Sequence, residues 1–326
     1  MKSRVASVRA MDVRSSRGTT VPASGDQFEI AYGDQRAVFV EVGGGLRVYS
    51  AGGRHVLDGY GLDEICSAGR GQVLIPWPNR LRDGRYEFAG KWHQLALTEP
   101  EQQNAIHGLV RQAAWVAREH ELDRVVMEHL LRSQPGYPFT LALNIEYVLS
   151  EGGLRVRTTA TNVGADACPF GAGAHPYVTV GTAIVDDAIL CVPGSTVLQT
   201  DTRGIPVGVD SVADTDYDFR RPRRIGATRL DHCFTDLERG EDGLARIELR
   251  RADDGAAVTL WVDAAYPYVM LFTGDSLPEV ERRSLAVEPM TCPPNAFRRG
   301  SGLIALEPGA SWVGEWGIDP KRTGTE

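Results

Sequence analysis

The sequence predicts an all-β protein built as a large antiparallel β-sandwich. Short runs of alternating apolar residues recur along the chain, and most of the 36 glycines and 18 prolines fall between such runs. No long stretch has the periodicity of a helix. Short strands divided by turn residues are typical of β-sandwiches and barrels.

The clearest pair of strands lies near the middle of the chain. In "LALNIEYVLS", large apolar side chains stand at every second position, namely Leu141, Leu143, Ile145, Tyr147 and Leu149. Alternation resumes in "GGLRVRTTATN", and the intervening "SEGG" has the composition of a turn. The two runs are therefore predicted to form a hairpin.

Further strands are predicted before and after this hairpin. The runs are "QRAVFVEVGG", "LRVYSAGG", "ARIELRRADDG", "AAVTLWVDA" and "YVMLFTGD". Each is bounded by Gly, Asp or Pro, the residues that commonly end strands.

The chain is predicted to hold one domain, over residues 26–326. Its composition is even from about residue 26, with no linker, charge block or fixed repeat. Residues 1–25 are rich in Arg and Ser and poor in acids. We interpret them as a flexible tail; a transit peptide is the alternative, and the apolar segment of a secretory signal is missing.

The charge balance argues against nucleic acid and membrane as partners. There are 43 acidic and 35 basic residues, which gives a net charge of −8 without a basic stripe for a phosphate backbone. No window approaches the roughly 18 apolar residues of a spanning helix. A small neutral molecule is the partner that fits this composition.

The cysteines indicate a reducing compartment. Their number is odd, their spacing is wide and none forms a CxxC pair: Cys66, Cys168, Cys191, Cys233 and Cys292. This pattern fits neither a disulfide framework nor a zinc site. We expect free thiols and a cytoplasmic location.

Four ionisable residues stand among small or apolar neighbours. They are His107 in "NAIHGLVRQ", His175 in "GAGAHPYVTVG", Asp231 in "RLDHCFTDL" and Glu288 in "SLAVEPM". Buried charges are costly, so such residues are either paired structurally or used in chemistry. His175 and Glu288 each precede a proline, which favours extended backbone and predicts that strand pairing ends just after them.

General acid–base chemistry by a histidine and a carboxylate is the reaction type that these residues favour. The nucleophile motif GxSxG, the phosphate loop GxxxxGK[ST] and a strand-bound GxGxxG are all missing. A metal site formed by His107, His175, Asp231 and Glu288 is possible by ligand type, but the wide gaps between these residues weigh against it.

Five motifs, in this order, closely resemble those of aldose 1-epimerases of the galactose mutarotase type. They are "GQVLIPWPNRLRDGRYEFAGKWHQL", "NAIHGLV", "GAGAHPYV", "LDHCF" and "AVEPMTCPPNAF", and the resemblance extends over residues 36–318. It implies a large antiparallel β-supersandwich, a monosaccharide substrate and no cofactor or metal. It leaves the oligomeric state open between monomer and homodimer.

The resemblance also implies catalytic roles. Glu288 matches the general base that takes the proton of the anomeric hydroxyl. His175 matches the acid that protonates the ring oxygen, and His107 matches a histidine that assists at the sugar ring. Asp231 near a histidine would favour the charged imidazole.

Three further residues are expected to contact the sugar. Arg80 and Asp231 match sugar-binding positions of the family, and Trp77 is interpreted equally as a stacking platform or as a core aromatic. The family's tyrosine ahead of "NR" is replaced here, and its later "YT" appears as Phe272 and Thr273. These changes affect the pocket wall and hence the identity of the sugar.

The expected function is interconversion of the α and β anomers of a hexose such as glucose or galactose. Two alternatives remain. The arginine-rich segments "RRPRRIG" and "FRRG" keep an epimerase of hexose 6-phosphates possible. A non-catalytic sugar-binding or regulatory protein on the same fold is the other.

Overall fold

The computed structural model describes residues 21–321. Residues 1–20 of the predicted tail lie outside this range. Ser24, near the start, is buried, and its carbonyl oxygen accepts a hydrogen bond from the Val42 N–H at 3.0 Å. The described chain is thus already packed at Ser24.

The described residues form strands almost throughout, as the sequence predicts. The first strands are β1 (Gln27–Tyr32), β2 (Gln35–Val40), β3 (Leu46–Ala51), β4 (Arg54–His55), β5 (Val73–Leu74), β6 (Arg80–Arg82), β7 (Arg85–Phe88), β8 (Lys91–Gln94) and β9 (Asn104–Ile106). The next are β10 (Val116–His120), β11 (Arg124–Leu131), β12 (Leu141–Ser150), β13 (Gly153–Asn162), β14 (Cys168–Phe170), β15 (Gly173–Ala174), β16 (Tyr177–Val178), β17 (Ile189–Cys191) and β18 (Gly194–Thr200). The last are β19 (Pro206–Ser211), β20 (Arg223–Arg224), β21 (Asp231–Leu237), β22 (Ala245–Arg250), β23 (Ala257–Val262), β24 (Tyr268–Phe272), β25 (Leu285–Met290), β26 (Ile304–Leu306) and β27 (Ser311–Lys321).

Helical structure in this part of the chain is confined to short turns. These are the four-residue helix α1 (Ala296–Arg299) and two single-turn 3-10 segments, Pro100–Gln102 and Val185–Asp187. No helix within residues 21–321 has the length and apolar character needed to cross a membrane.

Two large antiparallel sheets form the body of the molecule. One has nine strands in the order β10-β11-β12-β13-β27-β23-β22-β17-β20, and the other has the order β19-β18-β21-β24-β25-β15-β5, with β16 also paired to β25. One continuous apolar core contains residues of both sheets, such as Tyr147 and Val156 from the first and Leu271 and Val287 from the second. The predicted β-sandwich is confirmed.

The predicted central hairpin is also confirmed. Strands β12 and β13 pair from Leu141 opposite Asn162 to Ser150 opposite Gly153. All five alternating apolar residues of β12 are buried, and Tyr147 stacks on Phe39 of β2 with ring centroids 4.0 Å apart. Because side chains alternate across a strand, this pattern fixes which face of the sheet meets the core.

Arg282, three residues before β25, contacts three other segments of the chain. Its guanidinium contacts Asp186 at 2.6 Å, Asp275 at 2.8 Å and the carbonyl oxygen of Gly226 at 2.7 Å. The Arg282 side chain is 16% exposed. These contacts hold the loop that leads into β25.

We expect Arg282→Ala to lower the free energy of unfolding by about 2–4 kcal/mol, because it leaves two half-buried carboxylates without their cation. Arg229→Ala is the matched control, since Arg229 contacts the same Asp275 at 3.6 Å but is 83% exposed. We expect that control to change stability by less than about 0.5 kcal/mol. Urea unfolding measures both; equal effects would contradict a structural role of Arg282.

Candidate active site

A break in one strand creates the centre of the site. Strand β15 pairs with β25 at Met290, and β16 pairs with β25 at Ala286. His175 and Pro176 lie between β15 and β16 and therefore stand beside the middle of β25, where Glu288 is found. The predicted end of pairing after His175 is thus only an interruption: Pro176 has no N–H to continue the ladder, but pairing with β25 resumes at Tyr177.

The same prediction for Glu288 is wrong. Strand β25 stays paired with β24 through Pro289, which lies opposite Val269, as far as Met290. Val287 and Thr291 donate their N–H groups toward the side of β15 and β16. Pro289 lies midway between them and has no N–H. The position where that N–H would point is the gap between β15 and β16, so no hydrogen bond is lost.

Glu288 is buried because of its neighbours along β25. Ala286, Glu288 and Met290 share one face of the strand. Ala286 packs in a small apolar cluster with Tyr177, and Met290 packs in another with Met270. The carboxylate lies between these clusters and is 2% exposed.

Three predicted catalytic residues meet at this point. Nε2 of His175 lies 3.3 Å from Oε1 of Glu288. The rings of His107 and His175 are nearly perpendicular, with centroids 5.2 Å apart. One nitrogen of each histidine and one oxygen of Glu288 lie within 4.8 Å of one another, and all three residues are buried. Asp231 does not belong to this cluster.

The ring of His175 is held from two sides. Tyr177 stacks on it with an interplanar angle of 16° and a centroid distance of 5.1 Å, and the Tyr177 hydroxyl donates to the Ala68 carbonyl at 3.1 Å. A Cβ on Gly69 would lie 3.0 Å from Cδ2 of His175, and Gly69 has a φ of +75°. Glycine allows this close approach and this backbone conformation.

His107 is positioned by the pairing of β6 with β9. It follows β9 directly, and Asn79 directly precedes β6. The Asn79 N–H donates to Nδ1 of His107 at 3.1 Å, and the His107 N–H donates to the Asn79 carbonyl at 3.0 Å. Sequence reasoning did not select Asn79, because this contact joins two segments 28 residues apart.

Arg80 lies at the edge of the trio, between two carboxylates. Its Nε and Nη2 donate to Glu99 at 3.0 and 3.1 Å, and its Nη1 lies 3.5 Å from Asp231. A Cβ on Gly204 would come within 2.5 Å of Nη1, so the glycine lets a loop pass close to the guanidinium. Glu99 was missed by sequence reasoning, since "TEPEQQN" has the composition of a solvated loop.

Asp231 begins β21 opposite Phe272 of β24, and its side chain is 45% exposed. Its nearest cation is Arg80, and its charge raises the pKa of Glu288. Burial lowers the pKa of the neighbouring His232 and the Asp231 charge opposes this shift, but that charge is not among the causes that shift the pKa of His107 or His175. The Asp231 carboxylate lies beside the Arg80 guanidinium at the exposed rim of the site.

Burial shifts the pKa of both members of the central pair. It lowers the pKa of His175 to about 3. Burial and the Asp231 charge raise the pKa of Glu288 well above its ordinary value of 4.5, although Arg80 opposes this shift. Desolvation therefore favours a protonated Glu288 beside a neutral His175, so the pair holds one proton between them.

Trp77 lies in the main apolar core and contacts Phe297, with ring centroids 5.6 Å apart. Its burial favours the interpretation as a core aromatic. Contact between the indole face and a sugar stays a prediction.

Four of the six arginines in the two basic segments have local partners. Arg220 contacts Asp218 at 2.7 Å, Arg224 contacts Asp187 at 3.3 Å, and the Arg223 guanidinium lies 3.8 Å from the Phe219 ring centroid. In the second segment, Arg298 contacts Asp83 at 2.7 Å. These contacts give no support to a phosphate-binding cluster.

A cavity of about 1090 Å³ lies near the loop that covers His175. It is lined by Ser67 and Arg70 of that loop and by Tyr60, Glu279 and Arg283. His107, His175 and Glu288, the ionisable groups that converge, do not line it. The volume of the cavity is therefore no reason to place the reaction there.

Comparisons with known proteins identify the family and the fold. The family model for aldose 1-epimerase matches residues 26–318. The uncharacterized protein YihR of Escherichia coli K12 is 35% identical over 292 residues, which cover 89% of this chain and 92% of YihR.

Solved structures share the fold. The GalM/aldose epimerase homologue from C. elegans superposes with a TM-score of 0.80 at 18% identity and covers 91% of this chain and 99% of its own. A galactose mutarotase-like protein from Clostridium acetobutylicum gives a TM-score of 0.78 at 18% identity and covers 90% and 95%. With the match of the family model over nearly the whole chain, these findings show that the protein belongs to the aldose 1-epimerase family.

Proposed function

We propose that the protein is a cofactor-free mutarotase that interconverts the α and β anomers of a hexose such as glucose or galactose. The observation that carries this proposal is the buried His175–Glu288 pair, with Nε2 of the histidine 3.3 Å from Oε1 of the glutamate. Ring opening requires one group that accepts a proton and one that donates a proton, which such a pair supplies.

In the proposed reaction, Glu288 takes the proton of the C1 hydroxyl while His175 gives a proton to the ring oxygen. The C1–O5 bond breaks and a C1 carbonyl forms. The aldehyde rotates about C1–C2, and the reverse transfers close the ring from the other face. Oε2 of Glu288 has no hydrogen-bond partner among residues 21–321, which suits it to accept from the sugar.

The two pKa shifts favour these directions of transfer. A raised pKa makes the Glu288 carboxylate a stronger base, and a lowered pKa makes the His175 imidazolium a stronger acid. The transfers convert a charged pair into a neutral one, which burial stabilises. Hydrogen bonds from the sugar hydroxyls would stabilise the charged pair at the start of the cycle.

Arg80 and Asp231 are proposed to bind sugar hydroxyls at the rim. Contact between the indole face of Trp77 and the sugar stays a prediction. Five free thiols suit a reducing compartment, so we propose that the enzyme acts in the cytoplasm. The convergence of two buried histidines and one buried carboxylate favours catalysis over simple binding, since burying ionisable groups together is costly.

Polarimetry tests the proposal with freshly dissolved α-glucose and α-galactose. We expect the approach to anomeric equilibrium to accelerate in proportion to enzyme concentration. Acceleration only with hexose 6-phosphates would favour the alternative epimerase. Sugar binding without acceleration of any aldose would contradict the proposal and favour a binding protein.

A further inference from the structure

We propose that His107 serves as a fixed, neutral hydrogen-bond donor, and that Asn79 is the positioning residue that holds it in this form. The catalytic consequence rests on the proposed mutarotase function. The protonation state itself is a property of the folded chain and is tested separately.

The proton position on His107 follows from one backbone contact. The Asn79 N–H donates to Nδ1 at 3.1 Å, so Nδ1 must present a lone pair. A neutral imidazole then carries its proton on Nε2. Nε2 is the ring nitrogen left to face a ligand, and it does so as a donor.

The contact is rigid because both residues flank a strand pair. Arg80 of β6 lies opposite Ile106 of β9, and the neighbouring residues Asn79 and His107 adopt left-handed conformations with φ of 56° and 62°. Oδ1 of Asn79 accepts the Arg80 N–H at 2.8 Å. Asparagine tolerates this conformation better than most residues, partly because its side chain bonds to nearby backbone.

A second proton on His107 is opposed by its surroundings. A proton on Nδ1 would point at the Asn79 N–H, so two donors would face each other without an acceptor. Burial lowers the pKa of His107 well below 6.5, and His175, Arg111 and Arg80 add to this shift. Glu288, the carboxylate of the trio, is itself favoured in its protonated form. His107 therefore stays neutral.

The two proton transfers of the proposed reaction then belong to His175 and Glu288 alone. His107 donates a hydrogen bond from Nε2 to a sugar oxygen and keeps its proton. This tautomer also disfavours a metal ion, because a metal can bind Nε2 only if that nitrogen loses its proton, which is the only one that the neutral ring carries. The trio's spacing alone would have allowed one.

NMR of the full-length protein labelled with ¹⁵N-histidine tests the protonation state. The spectrum of His107→Gln identifies the His107 signals by their loss. We expect a neutral ring protonated at Nε2, unchanged from pH 5 to pH 8. A proton on Nδ1, or titration within this range, would overturn the proposal.

Two substitutions of Asn79 test its positioning role. Asn79→Gly accepts the left-handed conformation without penalty, whereas Asn79→Ala pays about 1 kcal/mol or more there. We expect the glycine variant to keep the Nε2–H signal and the alanine variant to show a second set of His107 signals. Identical spectra of the two variants would contradict the role of Asn79.

Activity distinguishes a donor from an acid. The side-chain amide of glutamine can donate a hydrogen bond but cannot supply a catalytic proton, so we expect His107→Gln to keep at least about a tenth of the mutarotation rate. His107→Ala should lose about 100-fold to 1,000-fold, as when a single transition-state donor is removed. Equal losses would overturn the donor role. If the unaltered protein accelerates no mutarotation, the proposed function fails, while the NMR result still decides the tautomer.

Discussion

Glu288→Gln is expected to reduce the enzymatic acceleration of mutarotation by about 100-fold to 10,000-fold, the usual contribution of a general acid or base. Glutamine has nearly the same shape as glutamate but cannot accept the C1 hydroxyl proton. Polarimetry with α-glucose and α-galactose measures the loss. Undiminished rates in this variant would rule out Glu288 as the base.

The same substitution is expected to stabilise the protein at neutral and alkaline pH. The pKa of Glu288 is raised in the folded state, so its contribution to stability is fully present below about 4.5 and decreases as pH rises toward the folded-state pKa. Each unit of that shift corresponds to about 1.4 kcal/mol. Glutamine is neutral at every pH, so it avoids the cost of keeping a buried carboxyl group protonated at a pH where the unfolded chain would release the proton.

Urea unfolding at several pH values tests this effect. The gain in stability of Glu288→Gln over the unaltered protein should be small at pH 4 and should grow up to pH 8. Glu87→Gln is the matched control, since Glu87 is exposed on β7; we expect it to change stability by less than about 0.5 kcal/mol at any of these pH values. A gain independent of pH would show that ionisation of Glu288 is not its cause.

The strands and the central hairpin could be predicted because alternation reports burial directly. Each of Leu141, Leu143 and Ile145 points to the core, and the turn residues between β12 and β13 fix the register. The trio could be selected because charged groups among apolar neighbours are unusual, and the family motifs then connected His107, His175 and Glu288. Their distances depend on strand pairing, which the motifs do not contain.

The sequence does not predict contacts between residues that are far apart along the chain and meet only in the folded structure. Glu99 resembles any loop glutamate until the fold brings it to Arg80. Pro289 suggests the end of a strand, yet its missing donor falls at the break made by His175 and Pro176. Gly69 resembles a turn glycine, although the ring of His175 occupies the space that a side chain would need.

His175→Asn is expected to lose catalysis while the protein stays folded. Asparagine cannot supply the proton for the ring oxygen, so we expect a loss of about 100-fold or more. The site loses the stacking of His175 on Tyr177, but it also loses a buried imidazole whose lowered pKa costs stability as pH falls from 6.5 toward 3. Cooperative urea unfolding of this variant at neutral pH is the measurement; an unfolded variant would indicate that His175 is mainly structural.

The double variant shows whether the two residues act as a unit. If the proton taken up by Glu288 and the proton released by His175 belong to one coupled step, removing either group stops that step. The variant with both Glu288→Gln and His175→Asn should then be no slower than the slower single variant, within about threefold. Losses that multiply would mean that each residue contributes independently, and the shared proton of the buried pair would have no part in catalysis.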